Sequence, residues 1–203
     1  MSLNRLPMCA NLINENYSNY TLLDMGCRTM ALKPLLNGCK EYYGTDLIPA
    51  EGVFECNLEE GLTNFKDNSF DIVVALDVLE HLEHAHQGLK EALRVARKAV
   101  FISLPNMYYI QFRWNYLRGN LSGKYNFPPH PILDRHRWIL SYDEAEHFIH
   151  ENTNDFDVIS QKIIPERGRT KLIATPIERT LANLFPNLFA YASMYMIKVE
   201  DKK

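Results

Sequence analysis

Between Phe70 and Asn106 the alternation of apolar and polar positions changes period twice. Ile72, Val73, Val74, Ala75 and Leu76 form an unbroken, β-branched apolar run of the length of a fully buried strand, and Asp77 ends it. Leu89, Ala92, Leu93 and Ala96 then recur at i, i+3, i+4 and i+7, with Lys90, Glu91, Arg94 and Arg97 between them. That spacing predicts an amphipathic helix. A second apolar run, Val100 to Leu104, stops at Pro105. Strand, helix, strand is the unit of a parallel sheet, which gathers ligand contacts at the carboxyl edge of its strands.

The remaining elements extend that unit. Tyr20 to Met25 reads as the first strand and Gly26 to Met30 as a turn into a helix over about Ala31 to Leu36, which Gly38 stops. Glu41 to Thr45, Val53 to Cys56 and Phe156 to Ile164 add strands, and Met194 to Val199 supplies the last. Ser141-Tyr142-Asp143-Glu144 is a capping box opening a helix to about Glu151. Pro165 to Pro176, with Arg167, Gly168, Arg169 and Lys171, reads as a polar connection. Leu181 to Ile197 is the most apolar late stretch, but Asn183, Pro186, Asn187 and Ser193 interrupt it. A core helix running into a strand is expected there, and a membrane span is not. Residues 1–19 form an extension able to pack beside the sheet or cover a ligand, and the chain is expected to be one domain over 1–203.

The stretch FDIVVALDVLEHLEH, followed after one helix by ALRVARKAVFISLPN, resembles the central block of class I S-adenosylmethionine-dependent methyltransferases. With NLEEGLTNFKDNSFD upstream and NMYYIQFRWNYLRG downstream, it is most similar to the MetW-type branch, over about residues 20 to 160. The resemblance implies an α/β, Rossmann-like fold: a mostly parallel seven-stranded sheet, helices on both faces and one antiparallel strand. It implies S-adenosyl-L-methionine as cofactor and methyl transfer to oxygen of a small-molecule acceptor: a sugar, an acyl intermediate or a methionine-related metabolite.

Site residues follow position by position. The family carries an acidic residue and a Gly-x-Gly-x-Gly pattern after the first strand, where glycine lets the backbone approach the cofactor. Asp24, Gly26 and Cys27 fit; Arg28 and Met30 stand where the later glycines belong. Either the loop keeps its path with ordinary backbone angles and Arg28 points to solvent, or cofactor affinity is reduced. Asp46, twenty residues after Gly26, sits where a carboxylate accepts both ribose hydroxyls, or merely opens a turn before Pro49, with Leu47 beside it. Asn57 and Leu58 occupy the positions that meet adenine, though Asn57 is equally a turn residue. Asp77 is implied beside the methionine end, unless Asp77 and Glu80 cap a helix instead. His81 titrates near neutrality and is the candidate catalytic base for an acceptor hydroxyl. Asp77, Glu80 and His81 also fit a carboxylate-x-x-Glu-His pattern with which some related quinone-pathway O-methyltransferases bind a divalent cation; no metal is assigned on that basis. His84 and His86 are expected on a solvated loop. Residues 107–138, aromatic and basic, are expected to cap the acceptor site, with Tyr109, Arg113, His130, Asp134, Arg135 and His136 as candidate acceptor contacts or as members of an ordinary salt-bridged loop.

Composition narrows the function without naming it. Hydrophobic residues at 46% and charged residues at 23% are those of an ordinary globular chain. A net charge of -3 offers no general attraction to nucleic acid or an anionic membrane, so the Arg–aromatic interleaving of 107–138 is read as a small-acceptor cap. Cys9, Cys27, Cys39 and Cys56 show neither CxxC nor zinc-ligand spacing, so reduced thiols and a cytoplasmic location are expected. Asn4, Arg5, Pro7 and Asn11 interrupt any signal-peptide core. Two competing readings stand beside the methyltransferase: a non-catalytic binding or assembly module with the same fold, supported by Arg28 and Met30, and a dinucleotide dehydrogenase, disfavoured by the poor glycine pattern.

Overall fold

The computed structural model describes residues 5–120, 129–130, 135–165 and 171–200. Seven strands carry the fold: β1 (Tyr20–Met25), β2 (Cys39–Asp46), β3 (Val53–Glu55), β4 (Phe70–Leu76), β5 (Ala96–Pro105), β6 (Asp157–Ile163) and β7 (Ala192–Lys198). They form one sheet in the order β3-β2-β1-β4-β5-β7-β6. The pairs from β3 to β5 are parallel, while β7 runs antiparallel to both β5 and β6. This is the expected mostly parallel sheet with one antiparallel strand.

β4 and β5 are central because their side chains are apolar on both faces. Val73 and Ala75 project into one core with Leu23, Val100, Ile102 and Tyr195. Ile72 and Val74 project into the other with Tyr20, Leu22, Phe101 and Met196. Val73, Val74, Phe101 and Ile102 are all fully buried, as expected. The first face is covered by α2 (Ala85–Val95) and α4 (Tyr142–Asn152), the second by α1 (Arg5–Asn16), whose Cys9, Ala10, Leu12 and Ile13 are buried. The capping box of α4 is complete: Ser141 Oγ accepts from Glu144 N–H and Glu144 accepts from Ser141 N–H.

α3 (Ile110–Leu117), α5 (Lys171–Leu184) and α6 (Pro186–Phe189) are the other α-helices among the described residues. Asn106, buried at the end of β5, ties this region down: its Nδ2 donates to the carbonyls of Asn187 (3.0 Å) and Ala190 (2.7 Å), and its Oδ1 accepts from Tyr108 N–H. Two expectations are corrected. The helix over Ala31 to Leu36 is only a 3-10 turn, Lys33–Leu35, because Pro34 lacks an N–H and restricts the residue before it. The polar connection to Pro176 instead overlaps α5, which contains Pro176; one lost hydrogen bond is outweighed by packing of a helix that buries Ala182. Residues 166–170, including Arg167, Gly168 and Arg169, lie outside the described residues. Among the described residues no helix is long and apolar enough to cross a membrane, and all four cysteines are free thiols.

Candidate functional site

Because β1 to β5 are parallel, the turns that follow β1, β2, β3 and β4 open on the same edge of the sheet. That topology collects Asp24, Gly26, Asp46, Asn57 and Asp77 from four separate segments.

The turn after β1 overturns one expectation. Arg28 was expected at negative φ; it lies at φ 50°, and Met30 at φ 52°. Gly26 lies at φ 67°, so positive φ recurs at 26, 28 and 30, the alternate positions of a Gly-x-Gly-x-Gly turn. The glycine-type backbone path survives without its two later glycines. Three contacts hold it there. Cys27 N–H donates to Thr45 O (3.0 Å), Met30 N–H to Cys27 O (2.9 Å) and Arg28 N–H to Asp46 Oδ2 (2.9 Å). Arg28 is exposed. Met30 instead folds back: a Cβ on Gly44 would fall 2.5 Å from Cys27 Sγ and 3.1 Å from Met30 Cγ, so the bare Gly44 backbone is the seat on which both pack.

Asp46 is aimed by its two amide donors, Arg28 N–H on Oδ2 and Ile48 N–H on Oδ1 (3.1 Å). Leu47 beside it is exposed. Asp24 is buried, and its Oδ2 accepts a hydrogen bond from Tyr42 OH. Burial pushes its carboxyl up to about 7; the Tyr42 bond lowers it and the nearby Asp46 charge raises it. Burial first, then Asp24 and Asp46, push the Cys27 thiol up to about 11, so it packs as a neutral apolar group. Asn57 is engaged in its own turn: Oδ1 accepts from Glu59 N–H (3.2 Å) and Nδ2 donates to Glu60 Oε1 (2.8 Å). Leu58 is half-buried against the core.

Asp77 does not cap a helix. A 3-10 turn, Leu79–His81, follows β4, and its N-cap, Val78, makes no side-chain cap bond. Asp77 sits at φ 54°, accepting from Ser103 Oγ (2.5 Å) and Arg5 Nη1 (2.5 Å). Arg5 thus brings α1 over the sheet edge. Tyr109, offered as an acceptor contact, is buried at 5.5 Å from the Tyr191 ring, and Tyr191 in turn feels the charges of Asp77 and Arg5. Burial, then Asp77, raises the Tyr191 hydroxyl pKa.

A strap of residues 135–138 lies along the turn after β4. Arg137 and Trp138 N–H both donate to Glu80 O, Trp138 Nε1 donates to Leu82 O (2.7 Å), and Arg137 pairs with Glu83 (2.9 Å). His81 Nδ1 lies 3.0 Å from Arg135 O, and the His81 and His136 rings meet edge to face at 4.5 Å. His81, Arg135 and His136 are therefore brought together. Arg113 and His130 are not. Arg113 Nε donates to Tyr108 O (2.5 Å), and Arg113 borders a groove with Asp143 and Pro186; His130 is exposed. His84 and His86 are exposed as expected, although His86 lies within α2 against Phe148. Asp134 and residues 121–128 and 131–133 of the expected cap lie outside the described residues. Neither Arg5 nor Ser103 carries a local signal for this role; each bonds Asp77 from a distant segment, and Tyr191 lies within the influence of its charge.

The sheet order, the turn after β1 and the carboxylate after β2 define a class I S-adenosylmethionine-dependent methyltransferase fold. Within it the chain belongs to the family described as methionine biosynthesis protein MetW, which residues 9–197 match. It is 37% identical over 87 residues to the bifunctional methionine biosynthesis protein MetXA/MetW of Rhodopirellula baltica, an alignment covering 41% of this chain and 14% of that one. Solved structures agree on the fold. The small RNA methyltransferase HEN1 superposes with a TM-score of 0.67 at 16% identity, over 96% of this chain and 25% of that one. A SAM-dependent methyltransferase from Archaeoglobus fulgidus gives 0.53 at 18% identity, over 95% and 94%. Magnesium protoporphyrin IX methyltransferase from Synechocystis gives 0.58 at 16% identity, over 95% and 80%. The chain thus spans about 14% of the length of the curated relative and 25% of HEN1.

Proposed function

We propose that this chain transfers a methyl group from S-adenosylmethionine to an oxygen of a small-molecule acceptor, a sugar, acyl or methionine-related metabolite. The observation that carries this reading is the recurrence of positive φ at Gly26, Arg28 and Met30. Left-handed angles strain a residue with a Cβ by about 1–2 kcal/mol each, and such strain clusters at ligand sites. Contacts from Asp46, Thr45 and Gly44 keep Arg28 and Met30 on that strained path, and so preserve the turn shape along which a cofactor is approached in this reading.

In this reading the cofactor's ribose hydroxyls bond to Asp46, whose carboxylate is already aimed by two backbone amides. Gly26 and Cys27 offer close backbone approach, Leu47, Asn57 and Leu58 line the adenine end, and Asp24 and Asp77 lie toward the methionine end. The sulfonium already activates the methyl carbon, so the protein's task is to align the acceptor and remove a proton. His81 serves there: with Nδ1–H donated to Arg135 O, its lone pair is on Nε2. Arg135 and His136, which lie beside His81, are proposed as the acceptor contacts.

Calorimetric titration with S-adenosylhomocysteine tests the reading. Wild type is expected to bind, and Asp46→Ala to weaken binding by roughly 1.5–3 kcal/mol, the scale of a charge-assisted hydrogen bond. Binding unchanged in Asp46→Ala would remove Asp46 from the site. A wild type that gives no heat would favour the second reading, a fold retained as an assembly module.

A further inference from the structure

Glu80, His81 and His136 each offer a ligand atom, and these atoms lie within 4.8 Å of one another. Glu80 and His81 come from the 3-10 turn after β4, and His136 arrives from the strap 55 residues later. We infer that these three side chains bind a divalent transition-metal cation, as two imidazole nitrogens and one carboxylate oxygen with open positions toward the acceptor.

Four features of the geometry carry the inference. The Glu80 side chain is fully shielded from solvent, with Oε1 3.9 Å from His81 Nε2, so a carboxylate and an imidazole nitrogen face each other in a sheltered place. His81 points its Nδ1 at the Arg135 carbonyl (3.0 Å), which places the proton there and the lone pair on Nε2, the nitrogen turned toward Glu80. A backbone carbonyl on the far nitrogen is the usual means of orienting a metal-bound imidazole. The His136 ring is held edge-on to His81 at 4.5 Å by a strap whose own bonds end on Glu80 O and Leu82 O. Finally, the ligand separation is near that of a bound site. Ligands about 2.0–2.2 Å from a shared ion lie about 3.0–3.5 Å apart, a contraction that ring rotations supply.

The donor set selects the cation. Imidazole suits zinc, cobalt, nickel and iron, whereas magnesium and calcium prefer all-oxygen shells. Among the described residues this cluster holds one carboxylate and two imidazoles, so zinc, cobalt and nickel are expected to bind ahead of magnesium. With a cation bound, His81 Nε2 would be a ligand in place of the base of the methyl-transfer reading, and the cation would polarise an acceptor oxygen instead. The inference builds on the same site as the methyl-transfer reading, but cation binding is measured without cofactor, so either can fail alone.

The test is calorimetric titration of chelator-stripped, full-length protein with zinc and with magnesium, alongside thermal denaturation in each ion. Zinc is expected to bind with one equivalent per chain and to raise the melting temperature, with magnesium at least tenfold weaker. His136→Ala and His136→Gln should each weaken zinc at least tenfold and abolish the thermal shift, while His84→Ala, exposed and outside the cluster, should leave both unchanged. Absence of zinc binding at millimolar concentration, or zinc binding that survives both His136 variants, would overturn the assignment. Equal binding in the presence of saturating S-adenosylhomocysteine would keep it, whatever the cofactor titration alone returns.

Discussion

Arg28 and Met30 hold left-handed backbone angles that glycine would hold without strain, and they respond differently to its return. Arg28 is exposed, so Arg28→Gly removes a Cβ from φ 50°. The relief of about 1–2 kcal/mol is partly offset by the added freedom of glycine in the unfolded chain, about 0.5–1 kcal/mol. Chemical denaturation should therefore show stability unchanged or raised by up to about 1 kcal/mol, with cofactor affinity altered by less than about tenfold. Met30→Gly differs because the Met30 side chain is packed over Gly44 and reaches Gly52. It should lose about 1–3 kcal/mol of buried contact despite the same backbone relief. Equal responses in the two variants would show that the shared φ, and not the packing of Met30, sets the energetics of the turn.

At the scale of elements, the candidate site depends on how closely the turns after β1 and β4 approach. A Cβ on Gly26 would lie 2.8 Å from Val78 Cγ2, at a φ of 67° where a side chain is strained in any case. Gly26→Ala should cost about 2–4 kcal/mol in denaturant unfolding, combining the left-handed penalty with overpacking. Val78→Ala opens space in front of that Cβ and should recover part of the loss in the double variant. Strict additivity of the two changes would separate these turns. The strap of 135–138 works at the same scale. It fastens residues far along the chain to the turn after β4 through backbone acceptors, and so defines where His136 stands.

For the molecule as a whole, two carboxylates give opposing pH dependences. Asp24 titrates at about 7 in the folded state, raised first by burial, against an ordinary carboxylate near 4 when unfolded. The folded chain therefore holds more protons between those values, and stability falls as pH rises from about 4 to about 7, by up to about 4 kcal/mol, then levels. Asp71 runs the other way. Burial raises it, but the Thr21 N–H, with Lys98 and Arg97, outweighs burial and holds its carboxyl below the ordinary range. Its contribution is complete above the ordinary carboxylate range and is lost as pH falls through the lowered value. Asp24→Asn should flatten the decline between pH 4 and 7, and Asp71→Asn the loss on the acid side, both read from denaturant midpoints across pH. An unaltered slope in Asp24→Asn would mean that Asp24 ionises normally.

The β-branched runs of β4 and β5 and the capping box of α4 were legible without coordinates, because burial on both faces and helix initiation impose local patterns. The place of Asp46 at the end of β2 was legible too, since a strand end at set spacing from the glycine turn is a property of the chain alone. The backbone angles of Arg28 and Met30 were not. Intrinsic preference argued for negative φ, and contacts from Asp46, Thr45 and the bare backbone of Gly44 overrode it. Pro34 and Pro176 show the same contest with opposite outcomes, the first breaking a helix and the second tolerated within one. The pairing of Asp77 with Arg5 and Ser103, and the meeting of Glu80, His81 and His136, lay beyond any local reading. The sequence by itself determined which segments become strands and which polar residues end them, because those preferences act over a few residues. Tertiary structure alone decided which of those residues share a site, because that depends on strand order and on bonds between segments tens of residues apart.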